Sequence, residues 1–374
     1  MKGGETEIRV IAPGMRRGCV TVPASKSHEH RLLIANFLAG ERAALAPREG
    51  DNADIVATKR CLTALAAEGS EPVLDCGESG STLRFLAPLA AALGKKPRYI
   101  RRGRLAERPF KDYATLAPGV HELAGNVSSQ FVTGLLFALP LLSGDSEIRF
   151  TSPLESRGYV DMTLQVIRSA GITVEETAEG FRVPGGQRFR PQPHEVEGDW
   201  SGAAFWYAMN ALGSRIEIKG LSVASAQPDR AVADLAPRIA AAAKGETVTV
   251  DMSGAPDLFP ALAALAGGVK GTTRFVNIAR LRLKESDRVA AMADVLRRFG
   301  VSCAETESDF TVTGKGGPLV GGAFESYGDH RIAMAIAVGA TVASGPVTID
   351  DGACVAKSYP GFWTVFSAMP RIVI

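Results

Sequence analysis

The stretch "SKSHEHR" at residues 25–31 sets Lys26 and Arg31 beside the hydroxyls of Ser25 and Ser27, directly ahead of an apolar helical run. Lysine there is a compact cation suited to phosphate, and arginine is a planar fork suited to carboxylate. A serine N-cap with solvated charges reads the same residues more plainly. "DCGESGSTLRF" at 75–85 joins two glycines, three hydroxyl side chains and Arg84. Such a turn lets backbone N–H groups approach a ligand, and equally builds an ordinary helix entry. "GNVSSQF" at 125–131 puts Ser128, Ser129 and Gln130 at the end of a helix so apolar that it must be buried. Capping accounts for one serine and leaves the other side chains in need of partners.

"LRLKESDRVAAM" at 281–292 gathers Lys284, Glu285, Asp287 and Arg288 into the start of a helix. A salt-bridged surface competes there with proton exchange by Glu285 and Lys284 and carboxylate binding by Arg288. "YGDHRIAM" at 327–334 sets Asp329, His330 and Arg331 before another buried helix. Asp329 is a natural N-cap, and His330 has no second histidine at metal-ligand spacing. Asp257 in "APDLFP" and Lys357 in "AKSYPGFW" complete the set.

The elements that carry these residues follow from periodicity. "RSAGITVEETAEGFRVPG" (168–185) aligns without a gap on "RRFGVSCAETESDFTVTG" (297–314), an offset of 129 residues. Val160, Leu164 and Ile167 lead helically to Gly171, as Val289, Met292, Leu296 and Phe299 lead to Gly300, and glycine is the expected C-terminal stop. Short alternating stretches after each glycine predict a strand, a turn and a strand. "SEIRFTS" and "TTRFVNI" predict strands ahead of the two helices. The pattern implies an α/β protein built by duplication, with the polar motifs in loops that enter helix N-termini. Those ends expose unpaired N–H groups and suit anions.

A chain of 374 residues, 46% hydrophobic, can bury a large core and divides most naturally into two domains. Forty-two basic against forty acidic residues leave +2. With no basic tail or stripe read from the sequence, nucleic-acid binding is disfavoured and small-molecule chemistry favoured. Five scattered cysteines read as free thiols of a reducing compartment. No apolar stretch is long enough to cross a bilayer, and the N-terminus lacks a signal core, so the expected location is the cytoplasm.

The ordered series "SKSHEHR", "GESGSTLR", "ERPF", "GNVSSQF", "ESRGYVDMT", "GDWSGAAF", "PDLFP", "RLKESDR", "GDHRIAM", "AKSYPGFW" resembles the 5-enolpyruvylshikimate-3-phosphate synthases over nearly the whole chain. The resemblance implies the two-domain enolpyruvyl transferase fold, an inside-out α/β barrel of repeated βαβαββ subdomains, with the active site in the cleft between domains. The expected domains are 1–22 with 227–374, and 23–226. The implied reaction joins phosphoenolpyruvate to shikimate 3-phosphate and needs no metal or organic cofactor.

By matching position, Ser128, Ser129 and Ser156 would hold the shikimate phosphate and Ser27 and Arg31 its carboxylate, with Gln130 and Tyr159 lining the same pocket. Lys26, Gly80, Arg108 and Lys357 would face the phosphate of phosphoenolpyruvate, and Arg288 and Arg331 its carboxylate, with Gln130 nearby. Asp257 would take the proton of the 5-hydroxyl, Glu285 would manage protonation at the methylene carbon, and Lys26 and Lys284 would support both by charge.

Two features depart from the family pattern. Glu78 stands where many members carry asparagine, and Arg280 where some do. The chain is also shortened between Arg108 and Gly125 and between Gln227 and Asp257, so that one subdomain in each half is trimmed. The replacement segments are expected to cap the trimmed sheets and leave a soluble monomer. The sister UDP-N-acetylglucosamine enolpyruvyl transferases would place a cysteine where this chain has Gly103. A non-catalytic ligand-binding descendant would not need the acid and base residues.

Overall fold

The computed structural model describes residues 7–372. Two compact units emerge: Ala24–Glu197 forms one, and the described chain up to Pro23 and from Gly198 forms the other. The return crossing therefore lies ahead of the 226–227 boundary expected from sequence. Helix Trp200–Ala211 gives the physical reason. It is apolar on nearly every side, and its Trp206 packs on Phe362 at 5.1 Å and Phe366 at 6.5 Å between ring centroids, inside the core of the second unit.

Each unit contains one complete βαβαββ module. In the first, strand Gly119–Ala124 pairs in parallel with Ser146–Ser152, which pairs antiparallel with Gly180–Val183, itself bordered by Glu175–Glu176. Helices Ser129–Ala138 and Arg157–Ser169 connect these strands. In the second unit, strands Thr247–Asp251, Thr272–Val276, Asp309–Thr313 and Ser302–Glu305 repeat the same order, directions and pairings. Helices Phe259–Gly268 and Arg288–Arg298 serve it. The 129-residue repeat read from sequence is this module.

The two shortenings appear as two-stranded parallel sheets. Val73–Gly77 pairs with Arg98–Arg101 in the first unit, and Arg17–Thr21 with Arg215–Lys219 in the second. Both are followed by compact replacements. In 109–118, Tyr113 is buried, Phe110 packs edge-on to Tyr99 at 5.2 Å, and Leu116 joins the same core. In the second unit, helix Val232–Ala240 buries Val232, Ala236 and Ile239. A three-stranded sheet of Arg9–Ile11, Val347–Ile349 and Gly322–Phe324 completes that unit.

One compositional reading needs correction here. The chain does carry a basic stripe, at residues 95–111, masked in the near-neutral total by acidic residues elsewhere.

Candidate active site

In the first unit, the polar motifs sit at helix starts because their own side chains make the caps. Ser25 accepts from the His28 N–H (3.3 Å), Ser79 from Thr82 (3.3 Å) and Ser128 from Gln130 (3.3 Å). Buried hydroxyls then lace these ends together. His30 Nδ1 lies 2.7 Å from Thr58 Oγ1, which is 2.6 Å from Thr82 Oγ1, which donates to Ser79 at 2.8 Å. Helices Lys26–Leu38, Ala53–Ala66 and Gly80–Ala92 are thus fixed at one end.

Lys26 forms an ion pair with Asp54 at 2.9 Å, on the first turn of the next helix. Arg31 is buried; its Nε donates to Thr163 Oγ1 at 2.8 Å and its Nη2 to the Tyr159 carbonyl at 2.8 Å, while Nη1 donates to the Ser27 carbonyl. Arg31 therefore gathers Ser27 and Tyr159, two residues distant in sequence. Ser156 is buried with φ of 55°, a left-handed backbone rare for serine, directly ahead of helix Arg157–Ser169.

Gln130 is oriented from both sides: Arg84 Nη1 donates to its Oε1 at 2.6 Å, and its Nε2 donates to Ser81 Oγ at 3.0 Å. The approach is made possible by Gly134, where a Cβ would meet the Arg84 carbonyl at 2.3 Å, so helix Ser129–Ala138 packs directly on Gly80–Ala92. Pro88 sits inside the latter helix and lacks the N–H that would bond that carbonyl. A Cβ on Gly80 would lie 2.8 Å from Arg84 Nη1 and 3.2 Å from Arg108 Nη1, so glycine there keeps two guanidinium groups at a helix N-terminus. Ser129 is buried at the neighbouring helix start.

Glu78, the first departure, lies against the turn that follows the strand. A Cβ on Gly103, whose φ is 51°, would meet Glu78 Oε1 at 2.7 Å. The carboxylate thus occupies the space a side chain at 103 would need.

In the second unit, three sequence motifs converge on one charge cluster. Arg288, 1% exposed, donates to Asp329 (2.8 Å), Asp257 (2.9 Å) and Glu285 (2.7 Å). Asp257 also accepts from Lys284 (3.3 Å) and Arg331 (3.1 Å). Asp329 caps its helix through the Arg331 N–H (2.9 Å) and accepts from Ser286 Oγ (3.0 Å). Lys284 and Glu285 lie in the loop ahead of helix Arg288–Arg298 rather than on it, and Asp287 is the cap. Lys357 is buried in the turn Ala353–Lys357. Arg280 donates to the Ser253 carbonyl at 3.0 Å.

The electrostatics follow from this crowding. Burial alone would raise the Asp257 carboxyl, but Arg331, Lys284 and Arg288 together outweigh it and hold it well below the usual carboxylate range. Asp329 is lowered in the same manner: burial opposes, and Arg288 with His330 prevails. Burial lowers Lys284, with Asp257 resisting. Arg288 is raised because Asp329, Glu285 and Asp257 more than offset its burial.

Sequence reasoning missed Asp54 and treated Asp329 only as a cap. The acid in the first turn after Asn52 was the available signal for the former. For the latter the hint was a buried helix start beside an arginine-rich motif. Among the described residues, no group of three or more His, Cys, Asp and Glu side chains is arranged to hold a metal.

The sequence profile of EPSP synthase (3-phosphoshikimate 1-carboxyvinyltransferase) matches residues 102–366. The chain is 37% identical to the 3-phosphoshikimate 1-carboxyvinyltransferase of Clostridium kluyveri over 412 aligned positions, covering 96% of both chains. The chain belongs to the EPSP synthase family. The enzyme of that name from Methanocorpusculum labreanum is 36% identical over 408 positions, covering 94% of this chain and 96% of its own. Both alignments are longer than the 374 residues available, so the relatives carry segments that this family member lacks. Among solved structures, EPSP synthase of Acinetobacter baumannii matches with a TM-score of 0.72 at 24% identity, covering 97% of this chain and 98% of that one. The enolpyruvyl transferase NikO of Streptomyces tendae matches with a TM-score of 0.69 at 16% identity, covering 98% of each. At these identities the structural likeness speaks to fold, which is the α/β enolpyruvyl transferase fold.

Proposed function

We propose that this chain transfers the enolpyruvyl group of phosphoenolpyruvate to the 5-hydroxyl of shikimate 3-phosphate and releases inorganic phosphate, a step of aromatic amino-acid biosynthesis. The observation that carries the reading is the cluster in which Lys284, Arg288 and Arg331 all reach Asp257, with Glu285 on the same arginine. Two carboxylates amid three cations suit a reaction that binds anions and moves protons.

In this reading Arg288 and Arg331 take the carboxylate of phosphoenolpyruvate, and Lys26, Gly80, Arg108, Gln130 and Lys357 surround its phosphate. Ser128, Ser129 and Ser156 hold the shikimate phosphate, while Ser27, Arg31 and Tyr159 border its ring and carboxylate. Glu285 delivers a proton to the methylene carbon as the 5-hydroxyl oxygen attacks the adjacent carbon, and Asp257 receives the hydroxyl proton. Loss of a proton from the new methyl group and departure of phosphate then leave the enol ether.

As the cluster stands, Asp257 is a poor base because three cations share it. A substrate carboxylate docking on Arg288 and Arg331 competes for those guanidinium groups, and so frees Asp257 to accept a proton only when its substrate has arrived. This coupling of binding to basicity is part of the proposal.

The sister reaction on UDP-N-acetylglucosamine is disfavoured by Gly103, where any side chain would displace Glu78. We further propose that the enzyme acts as a monomer in the cytoplasm, a reading supported by the buried Tyr113 and the packed helix Val232–Ala240 over the shortened sheets. No helix among the described residues is long and apolar enough to cross a membrane. Phosphate release tests the reaction: it should require both substrates, and release from phosphoenolpyruvate alone, or none with both, would overturn it.

A further inference from the structure

Residues 95–111 hold a charge separation that the total conceals. Eight of the 42 basic residues and one of the 40 acidic ones fall there, a local +7, leaving 34 basic and 39 acidic side chains in the other 357 positions. The run is ordered rather than a loose tail. Strand Arg98–Arg101 pairs with Val73–Gly77, the turn Gly103–Ala106 is anchored by buried Leu105, and Arg108 ends against Gly80. Arg102 is neutralised by a two-pronged contact with Asp75 at 2.9 and 2.8 Å. Arg98, Arg101 and Arg104 are exposed and, among the described residues, have no carboxylate partner. Arg101 lies over the Phe110 ring at 5.2 Å, which fixes its position.

Like charges without carboxylate partners on one short stretch repel each other, and Arg101 alone of the three has a ring contact to offset this. Toward an anion they act together. A strand advances about 3.3 Å per residue, so Arg98 to Arg101 spans about 10 Å, close to the screening length at 0.1 M salt. An approaching molecule with a phosphate and a carboxylate would feel these cations as a group, and would feel them less as salt rises.

We propose that Arg98, Arg101 and Arg104 form an electrostatic guide that speeds arrival of the doubly anionic substrates at the Gly80 and Arg108 end of the first unit, without themselves contacting the substrates once bound. The inference rests on the enolpyruvyl transfer reading. Guidance of this kind changes association rate and its salt dependence, and leaves dissociation alone.

The test is stopped-flow binding of shikimate 3-phosphate to the whole protein and to the triple variant Arg98→Gln, Arg101→Gln, Arg104→Gln. The association rate of the variant should fall roughly tenfold at about 20 mM salt, with an unchanged dissociation rate, and the gap should close near 0.5 M. Turnover at saturating substrate should be unaffected. Equal association rates at low salt would overturn the guide, and so would a faster dissociation that persists at high salt. Should the triple variant fold poorly, the natural protein decides by itself: association that does not slow between those salt concentrations removes the guide. Failure of the natural protein to bind shikimate 3-phosphate at any salt would instead refute the reaction reading, and the guide with it.

Discussion

In the proposed reaction, Asp257 and Glu285 are the residues on which proton transfer would depend. Each is a carboxylate paired with the buried Arg288. Asp257→Asn and Glu285→Gln should each lower kcat by about a hundredfold or more, with smaller changes in KM. Near-normal turnover in either variant would remove that residue from the chemistry. His30 offers a different test. Burial pushes its imidazole down to about 3, with Asp54 opposing and Lys26 and Arg31 assisting. An unfolded histidine titrates near 6.5, so between about 6.5 and about 3 the unfolded chain holds a proton that the folded one lacks. Stability therefore falls as pH drops through that window, by up to about 1.4 kcal/mol per pH unit. His30→Asn, which keeps an acceptor for Thr58, should flatten the slope of stability against pH there. An unchanged slope would assign the acid sensitivity to another group. At this scale the sequence was legible where a motif carried both a cation and a cap, as with Lys26, Lys284 and Arg331. It was opaque where pairing joined distant segments: nothing local announces that Asp54 meets Lys26 or that Asp329 meets Arg288.

Helix starts are the unit of construction one level up. The module repeated at 129 residues was readable because its helices end in glycine and its hairpins alternate, both local signals. The contact between helices Gly80–Ala92 and Ser129–Ala138 was not, since it depends on Gly134 facing a carbonyl released by a proline on another element. That contact sets the distance between Arg84 and Gln130. Gly134→Ala should force the helices apart, costing about 1–3 kcal/mol, and should raise KM for phosphoenolpyruvate by loosening Gln130. Unaltered melting temperature and KM would mean that the helices are not held by this approach. The misplaced domain boundary has a similar origin. The family resemblance implied a crossing at 226–227, whereas the aromatic packing of Trp206 on Phe362 and Phe366 binds residues 198–226 to the second unit.

Across the whole molecule, the shortened segments leave two parallel strand pairs, each followed by a compact apolar segment, and leave intact the motifs proposed to carry the chemistry. A chain that retained only ligand binding would have no need of Asp257 and Glu285 within a set of three cations. The decisive experiment is phosphorus-31 NMR of the protein mixed with phosphoenolpyruvate and shikimate 3-phosphate. Loss of the phosphoenolpyruvate signal should be matched one for one by inorganic phosphate and by a new sugar-phosphate signal from the enol ether. Persistence of both starting signals with the folded protein, or phosphate appearing without the new ester, would overturn the assignment of enolpyruvyl transfer.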